Sequence, residues 1–264
     1  MKENKLRQLL NENKPSTSTR IWSTWPFFTE ALGATGNFDY MEFVAEYAPF
    51  TQFDLENLAR AAELNNMGSM IKVDFQSRGF VAQKAVASGF QAIMFADHET
   101  PEQVRESIRM VKPHTPEDGG LFGTPQRRFI GAQPNMPQMA HAKRIRDVVL
   151  CFMIEKDEAM KNIEEICSIE GVDMVQFGPS DYSMSRGWNS SEHVKEFKAE
   201  ERRMIEIALK HGVEPRCEIK TVEAAQYYVD LGVRHFSLGD QFEKLNSFWT
   251  GDGARIRSVA DAIK

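Results

Sequence analysis

The chain has 264 residues, 42% hydrophobic and 27% charged, enough for a packed core in one large domain. A formal net charge of −6 with no basic stripe argues against a nucleic-acid partner, and no apolar run approaches the roughly 20 residues of a membrane span. The polar start MKENKLRQLLNENK lacks an apolar signal core, so a cytoplasmic protein with no membrane partner is expected.

In chain order, KLRQLLNEN predicts a short N-terminal helix packed on the rest of the domain. Then β-rich runs alternate with amphipathic stretches. RIWSTW and YMEFVAEY are the first two strand candidates, with the helix DLENLARAAELNN behind them. MIKVDF precedes the helix FVAQKAVASG, and AIMFADH precedes PEQVRESIRMVK. Residues 113–138 break the alternation. They form a long Gly- and Pro-rich segment carrying adjacent Arg127 and Arg128, expected to be a lid or a subunit contact, with disorder as the plain alternative.

The alternation resumes with VVLCFMIE, DMVQFGPSD, PRCEI and RHFSLGD as strands, with KDEAMKNIEEICSIEG, EHVKEFKAEERRMIEIALKHG and TVEAAQYYVDLG as helices between them. Gly89, Gly171, Gly212 and Gly232 stand where helices stop. Eight strands with helices after nearly all of them predict an α/β fold, a (β/α)8 TIM barrel with an N-terminal helix, as a single domain over 1–264. A doubly wound open sheet is disfavoured, because STWPFFTEALGATG contains no G-x-G-x-x-G.

Cys151, Cys167 and Cys217 are widely spaced with no C-x-x-C, which reads as three buried, inert thiols. The strand ends are more informative, since a barrel places its active site there. Glu46 and Tyr47 close strand 2, and Lys72 and Asp74 lie on strand 3. Asp97, His98 and Glu99 follow strand 4; Glu155 ends strand 5 and Asp181 follows strand 6. Glu218, Lys220 and Asp240 on strands 7 and 8 read as ion pairs around the mouth. So many acids in one mouth would repel one another unless a cation or a basic residue holds them. Glu155 and Asp181 lie on neighbouring strands and suit one hard divalent metal, Mg²⁺ or Mn²⁺; helix capping is the alternative for each.

The unit MIEKDEAMKNIEEICSIEGVDMVQFGPSDYSMSRG resembles the HpcH/HpaI aldolase family, whose pattern runs Q-I-E-[TS] and then G-P-x-D-L-S. NFDYMEFVAEYAP is similar to the same family's G-F-D-[FW]…D-x-E-H segment. The resemblance implies a TIM barrel that is a homo-oligomer, a trimer or hexamer, often with a helix exchanged between subunits. It implies a metal held by Glu155 and Asp181, a 2-oxo acid such as pyruvate as the small-molecule substrate, and C–C bond cleavage or formation through a metal-stabilised enolate. The backbone of Gly178, Pro179 and Ser180 would meet the substrate carboxylate, and Glu46 matches the family's Glu.

This chain departs from the family at several points. Tyr47 stands at the family's His, Val44 at the Asp that orients it, Lys72 at the strand 3 Arg, and Met153 at the Gln two residues before Glu155. Lys72 keeps the charge of Arg but loses its bidentate fork. A tyrosine with an ordinary value of about 10 is a base only if a cation lowers it; otherwise it is a hydrogen-bond donor or acid. His98 is a second candidate for proton transfer, with a capping or core role as its alternative. Arg127 would bind a distal carboxylate or phosphate, or join an intersubunit pair. The expected activity is a metal-dependent lyase of aldolase type. A Schiff-base enzyme using Lys72 and a non-catalytic homologue are the alternatives.

Overall fold

A computed structural model describes residues 3–130 and 135–263. Eight parallel strands close a barrel in sequence order: β1 (Ser16–Ile21), β2 (Tyr40–Val44), β3 (Gly68–Val73), β4 (Ala92–Phe95), β5 (Val149–Ile154), β6 (Met174–Phe177), β7 (Glu214–Ile219) and β8 (His235–Asp240). The expected α/β barrel is the observed fold. Strands β2 to β6 are buried along their whole length, as strands of a parallel sheet covered on both faces must be.

Helix α1 (Lys5–Asn11) precedes the barrel, and α2 (Pro26–Ala34), α3 (Gln52–Leu64), α4 (Arg78–Ser88) and α5 (Pro101–Val111) follow the first four strands. The second half carries α6 (Gln138–Arg146), α7 (Asp157–Lys161), α8 (Ile163–Ser168), α9 (Pro179–Ser185), α10 (Val194–Lys210), α11 (Ala225–Asp230) and α12 (Gln241–Asp261). Local sequence fixes several starts. Thr51 with Asp54 and Thr100 with Gln103 each form a reciprocal capping box, and Pro101 sits in the first turn behind the second. Gly89, Gly171, Gly212 and Gly232 all take the left-handed conformation expected at helix stops. None of these helices is long and apolar enough to cross a membrane.

The first strand differs from its expected span. β1 ends at Ile21, and Trp22 to Trp25 form the turn into α2, with the Trp22 and Ser23 N–H groups both donating to Gln241 Oε1 at 3.0 Å. The missed residues are Ser16 to Thr19, whose polar sequence hides a buried strand. Ser16 and Ser18 face an interior that is itself polar.

That interior divides in two. On one side Tyr40, Met70, Met94, Cys151, Met153 and Met174 pack together, with Leu6 of α1 joining them. On the other, fully buried Arg216 donates from Nε to Tyr40 OH at 2.7 Å and from Nη2 to Glu42 Oε2 at 2.5 Å and Ser18 Oγ at 3.0 Å; it also bonds Gln176. All three cysteines are buried, and burial pushes the Cys151 and Cys167 thiols up to about 12, so the inert reading stands.

Helix α12 buries none of its side chains, and Phe242, Phe248, Trp249, Ile256 and Val259 are all exposed. The described part of the 113–138 segment lies against the chain's own helices. Arg127 pairs with Glu56 at 2.5 Å and Arg128 with Glu63 at 2.5 Å, both on α3; residues 131–134 of the segment lie outside the described residues.

Candidate active site at the barrel mouth

The C-terminal ends of β2 to β6 carry one connected set of charges. Lys72, near the end of β3, points inward and is 5% exposed, and its ammonium pairs with the Glu46 carboxylate just past β2. Burial pulls the Lys72 ammonium downward, but Glu155 and Glu46 more than offset it, so its value rises and the lysine stays charged.

The Tyr47 ring stacks on Trp22, with centroids 5.7 Å apart and planes at 17°, and the Lys72 ammonium lies 5.4 Å from the Tyr47 centroid. Burial and the carboxylates of Glu46 and Asp181 push the phenol up to about 12 against the pull of Lys72. In the cation-free protein Tyr47 is therefore protonated at neutral pH and stands as a hydrogen-bond donor.

Glu155 follows β5 directly and is 1% exposed. Its Oε1 accepts from the Asp97 backbone N–H at 2.9 Å, while Oε2 faces β6 at Gly178. A Cβ at Gly178 would lie 2.5 Å from Oε2, so only glycine leaves that oxygen its space. Burial raises the Glu155 carboxyl to about 7, against Lys72 and the Asp97 N–H, which lower it.

Oxygens of Glu46, Asp97 and Glu155 lie within 4.8 Å of one another. Asp181, in the first turn of α9, stands outside that trio; the Lys156 ammonium is 2.6 Å from Asp97 and 4.0 Å from Asp181. These donors fit a hard divalent cation. All are carboxylate oxygens, and buried Glu155 has one oxygen with no hydrogen-bond donor among the described residues.

The sequence readings divide against this geometry. Glu46, Tyr47, Lys72, Glu155 and Asp181 converge on the mouth. His98 does not: it is 1% exposed, both ring nitrogens are engaged, by the Ala96 carbonyl at 2.8 Å and the Ser107 hydroxyl at 2.6 Å, and Phe75, Phe95 and Phe152 surround it. Burial pulls its ring down to about 4, so it is a neutral core histidine. Arg127 also serves elsewhere, on Gln52 and Glu56 of α3. Within the Gly178-Pro179-Ser180 turn, the Gly178 N–H is spent on the Ile154 carbonyl at 3.1 Å and Pro179 has none, which leaves Ser180 as the donor of the three.

Three contributors had no site role assigned from the sequence. Asp97 follows an apolar run with an acid, as Glu155 does, and so carried a usable signal. Lys156 stands where the family pattern has Thr or Ser. Trp22 was hidden inside an overlong strand.

The other end of the mouth holds a second charge cluster. The Arg20 Nη2 lies 2.7 Å from both Glu218 and Asp240, and burial raises the Glu218 carboxyl. The expected ion pairing of Glu218 and Asp240 is present. Lys220 pairs instead with Glu243 at 3.2 Å.

Residues 48–238 match the family described as HpcH/HpaI aldolase/citrate lyase. The chain is 27% identical to the hydroxypyruvate/pyruvate aldolase of Delftia acidovorans, covering 90% of this chain and 88% of that one. It is 26% identical to the 5-keto-4-deoxy-D-glucarate aldolase of Klebsiella pneumoniae, with the same shares covered. Among solved structures, citrate synthase SbnG superposes with a TM-score of 0.83 at 20% identity, over 98% of this chain and all of that one. Macrophomate synthase gives 0.85 at 19%, over 98% of this chain and 91% of that one. At those identities the structures establish the shared fold.

Proposed function

This chain belongs to the HpcH/HpaI aldolase/citrate lyase family, and we propose that it is a divalent-cation-dependent carbon–carbon lyase of aldolase type with an altered proton route. Its substrate is a small 2-oxo acid or related carboxylate, as the aldolase relatives support. The observation that carries the finer reading is buried Glu155 beside charged, buried Lys72, with one Glu155 oxygen left without a donor among the described residues.

Glu155 and Asp181 would hold Mg²⁺ or Mn²⁺, with Glu46 and Asp97 close by. When bound, the cation supplies Lewis-acid polarisation of the donor carbonyl. The chain's own residues do the rest. Lys72 holds Glu46 in place and sets a positive charge beside the position where negative charge develops on oxygen. Ser180 N–H is a donor for the substrate carboxylate. Tyr47, protonated at neutral pH, stands on the acid side and gives or holds a proton at the product hydroxyl. The base side falls to a carboxylate, since His98 lies buried behind the barrel wall.

A Schiff-base route through Lys72 needs a neutral amine, whereas its carboxylate neighbours hold the ammonium charged. Borohydride with pyruvate traps a Lys72 adduct on that route and none on the proposed one. The unburied apolar side chains of α12 support a homo-oligomer, trimer or hexamer, in which that helix packs on a second copy. Light scattering after gel filtration measures that state.

The main test is hydrogen–deuterium exchange into the methyl group of pyruvate, followed by NMR with and without Mn²⁺ or Mg²⁺. Cation-dependent exchange that disappears in Glu155→Gln is expected. Exchange that is indifferent to both cation and substitution contradicts the proposal.

A further inference from the structure

We infer that Gln241 and Trp22 are positioning residues for Tyr47: the first turn of α12 holds the indole, and the indole holds the phenol at the mouth. The inference rests on the lyase reading above, in which Tyr47 serves the acid side.

Tyr47 needs such support. It stands in the turn just past β2, is 56% exposed, and its backbone N–H reaches the Val44 carbonyl only at 3.4 Å. An exposed side chain on a turn samples several rotamers unless a neighbour selects one. Among the described residues its ring has one aromatic partner, Trp22, stacked at 5.7 Å and 17°. The Lys72 ammonium lies 5.4 Å from the ring centroid but is itself paired with Glu46.

Trp22 is fixed in turn by its main chain and by its ring. The Trp22 and Ser23 N–H groups both donate to Gln241 Oε1 at 3.0 Å, and Phe242 packs on the indole with centroids 6.4 Å apart. Neither N–H has another acceptor among the described residues. Loss of the Gln241 amide oxygen therefore leaves two donors of the β1–α2 turn unpaired.

Gln241 sits on a helix start that is itself tied down. Asp240, the N-cap of α12, accepts the Glu243 N–H at 2.6 Å through Oδ1, and its Oδ2 takes the Arg20 guanidinium at 2.7 Å. An unbroken series of contacts thus runs from the capped end of β8, through the turn after β1, to the ring after β2. A reacting group displaced by about 1 Å costs on the order of 100-fold in rate, so this series bears directly on the phenol's use as an acid.

The test labels the full-length protein with 3-fluorotyrosine and reads its five tyrosines by fluorine NMR, with no substrate or cation present. Tyr47→Phe identifies the Tyr47 resonance. Gln241→Ala should shift and broaden that resonance and leave those of Tyr40, Tyr182, Tyr227 and Tyr228 in place. Gln241→Glu keeps an acceptor oxygen for the two N–H groups and should restore it. In a Trp22→Ala protein the stack is already gone, so adding Gln241→Ala should move the Tyr47 resonance no further. Condensation of pyruvate with acetaldehyde in Mn²⁺ supplies the second reading. There Gln241→Ala should lower kcat about tenfold with KM for pyruvate unchanged, and Gln241→Glu should recover it.

A Tyr47 resonance unmoved by Gln241→Ala overturns the inference, as does a movement of all five resonances together or a further shift on the Trp22→Ala background. A moved resonance with kcat unchanged overturns it as well. A parent that exchanges pyruvate but does not condense acetaldehyde keeps the lyase reading and leaves the spectra to decide. No exchange in the parent removes the lyase reading, and the spectra then decide the link from Gln241 to Tyr47 on their own.

Discussion

The backbone N–H of Asp97 donates to Glu155 Oε1 at 2.9 Å, and Asp97 does this from a left-handed conformation with φ of +60°. An L-residue other than Gly, Asn or Asp pays about 1–2 kcal/mol there, through contact of its Cβ with the following carbonyl oxygen. The turn after β4 is thus bent to aim one N–H at the buried carboxylate. Asp97→Gly retains that N–H in the same left-handed conformation and should stay close to the parent in thermal stability. Asp97→Ala should lose roughly 1 kcal/mol. Calorimetry on both variants decides it: an alanine variant as stable as the glycine one contradicts this account of the turn.

The Asp97 side chain has a separate task. It holds the Lys156 ammonium at 2.6 Å, while Asp181 lies 4.0 Å from the same nitrogen. With Asp97→Asn the ammonium loses its charged partner and turns to Asp181, where it competes with a divalent cation. Mn²⁺ affinity should fall about tenfold and recover in the double variant Asp97→Asn/Lys156→Gln. Isothermal titration reads both. A fall that persists undiminished without Lys156 makes Asp97 a direct ligand and not a tether.

Glu155 gives a pH signature in the cation-free protein. Its folded value, about 7, lies above the usual 4.5, so the fold favours the protonated form. Ionisation then costs stability that is absent below pH 4.5 and fully felt above pH 7, up to roughly 3 kcal/mol. Glu155→Gln should therefore be more stable than the parent at pH 8 in EDTA, with the gain fading as pH falls to 4.5. Urea unfolding at the two pH values measures it, and a gain independent of pH rules out this origin.

Gly178→Ala tests the space around the same carboxylate. The new Cβ would lie 2.5 Å from Glu155 Oε2 and 2.6 Å from its Cβ, so the side chain must move. We expect about 1–3 kcal/mol of destabilisation and a larger proportional loss of Mn²⁺ binding than of stability. Parallel thermal unfolding and titration separate the two. Full cation affinity in a folded Ala variant would mean that Oε2 is not a ligand.

The barrel and the convergence of Glu46, Lys72, Glu155 and Asp181 were legible because each follows a run of buried apolar residues. Such runs mark parallel strands, and strand ends mark the mouth. β1 was misplaced for the opposite reason: Ser18 is buried against Arg216 and Ser16 against His235, and a polar interior leaves no hydrophobic signature. His98 follows its strand as Glu155 does, yet the chain turns left-handed at Asp97, and the ring goes into the layer between β4 and α5. Spacing along the sequence does not record such a turn. The Tyr47 question also needed three dimensions, since the burial and acids that outweigh Lys72 come from separate strands.

The Arg216–Glu42 pair offers the last prediction. Both residues are 0% exposed and joined at 2.5 Å, and Glu42 Oε1 has no hydrogen-bond partner among the described residues. Desolvating two charges is costly, and a carboxylate with one unmatched oxygen recovers that cost incompletely. Glu42→Leu alone strands the guanidinium with only Tyr40, Ser18 and Gln176, and should cost about 3–5 kcal/mol. Arg216→Met alone strands the carboxylate and should cost a similar amount. The double replacement matches the Met-lined side of the interior and should recover most of the loss, giving a large favourable coupling in a double-mutant cycle. Urea unfolding at one fixed protein concentration supplies all four corners of the cycle. If the double variant loses the sum of the single losses, the interior charges stabilise the barrel by more than mutual neutralisation. If it recovers stability but pyruvate exchange falls, the pair serves to hold Arg20 and Glu218, one layer above, in register with the mouth.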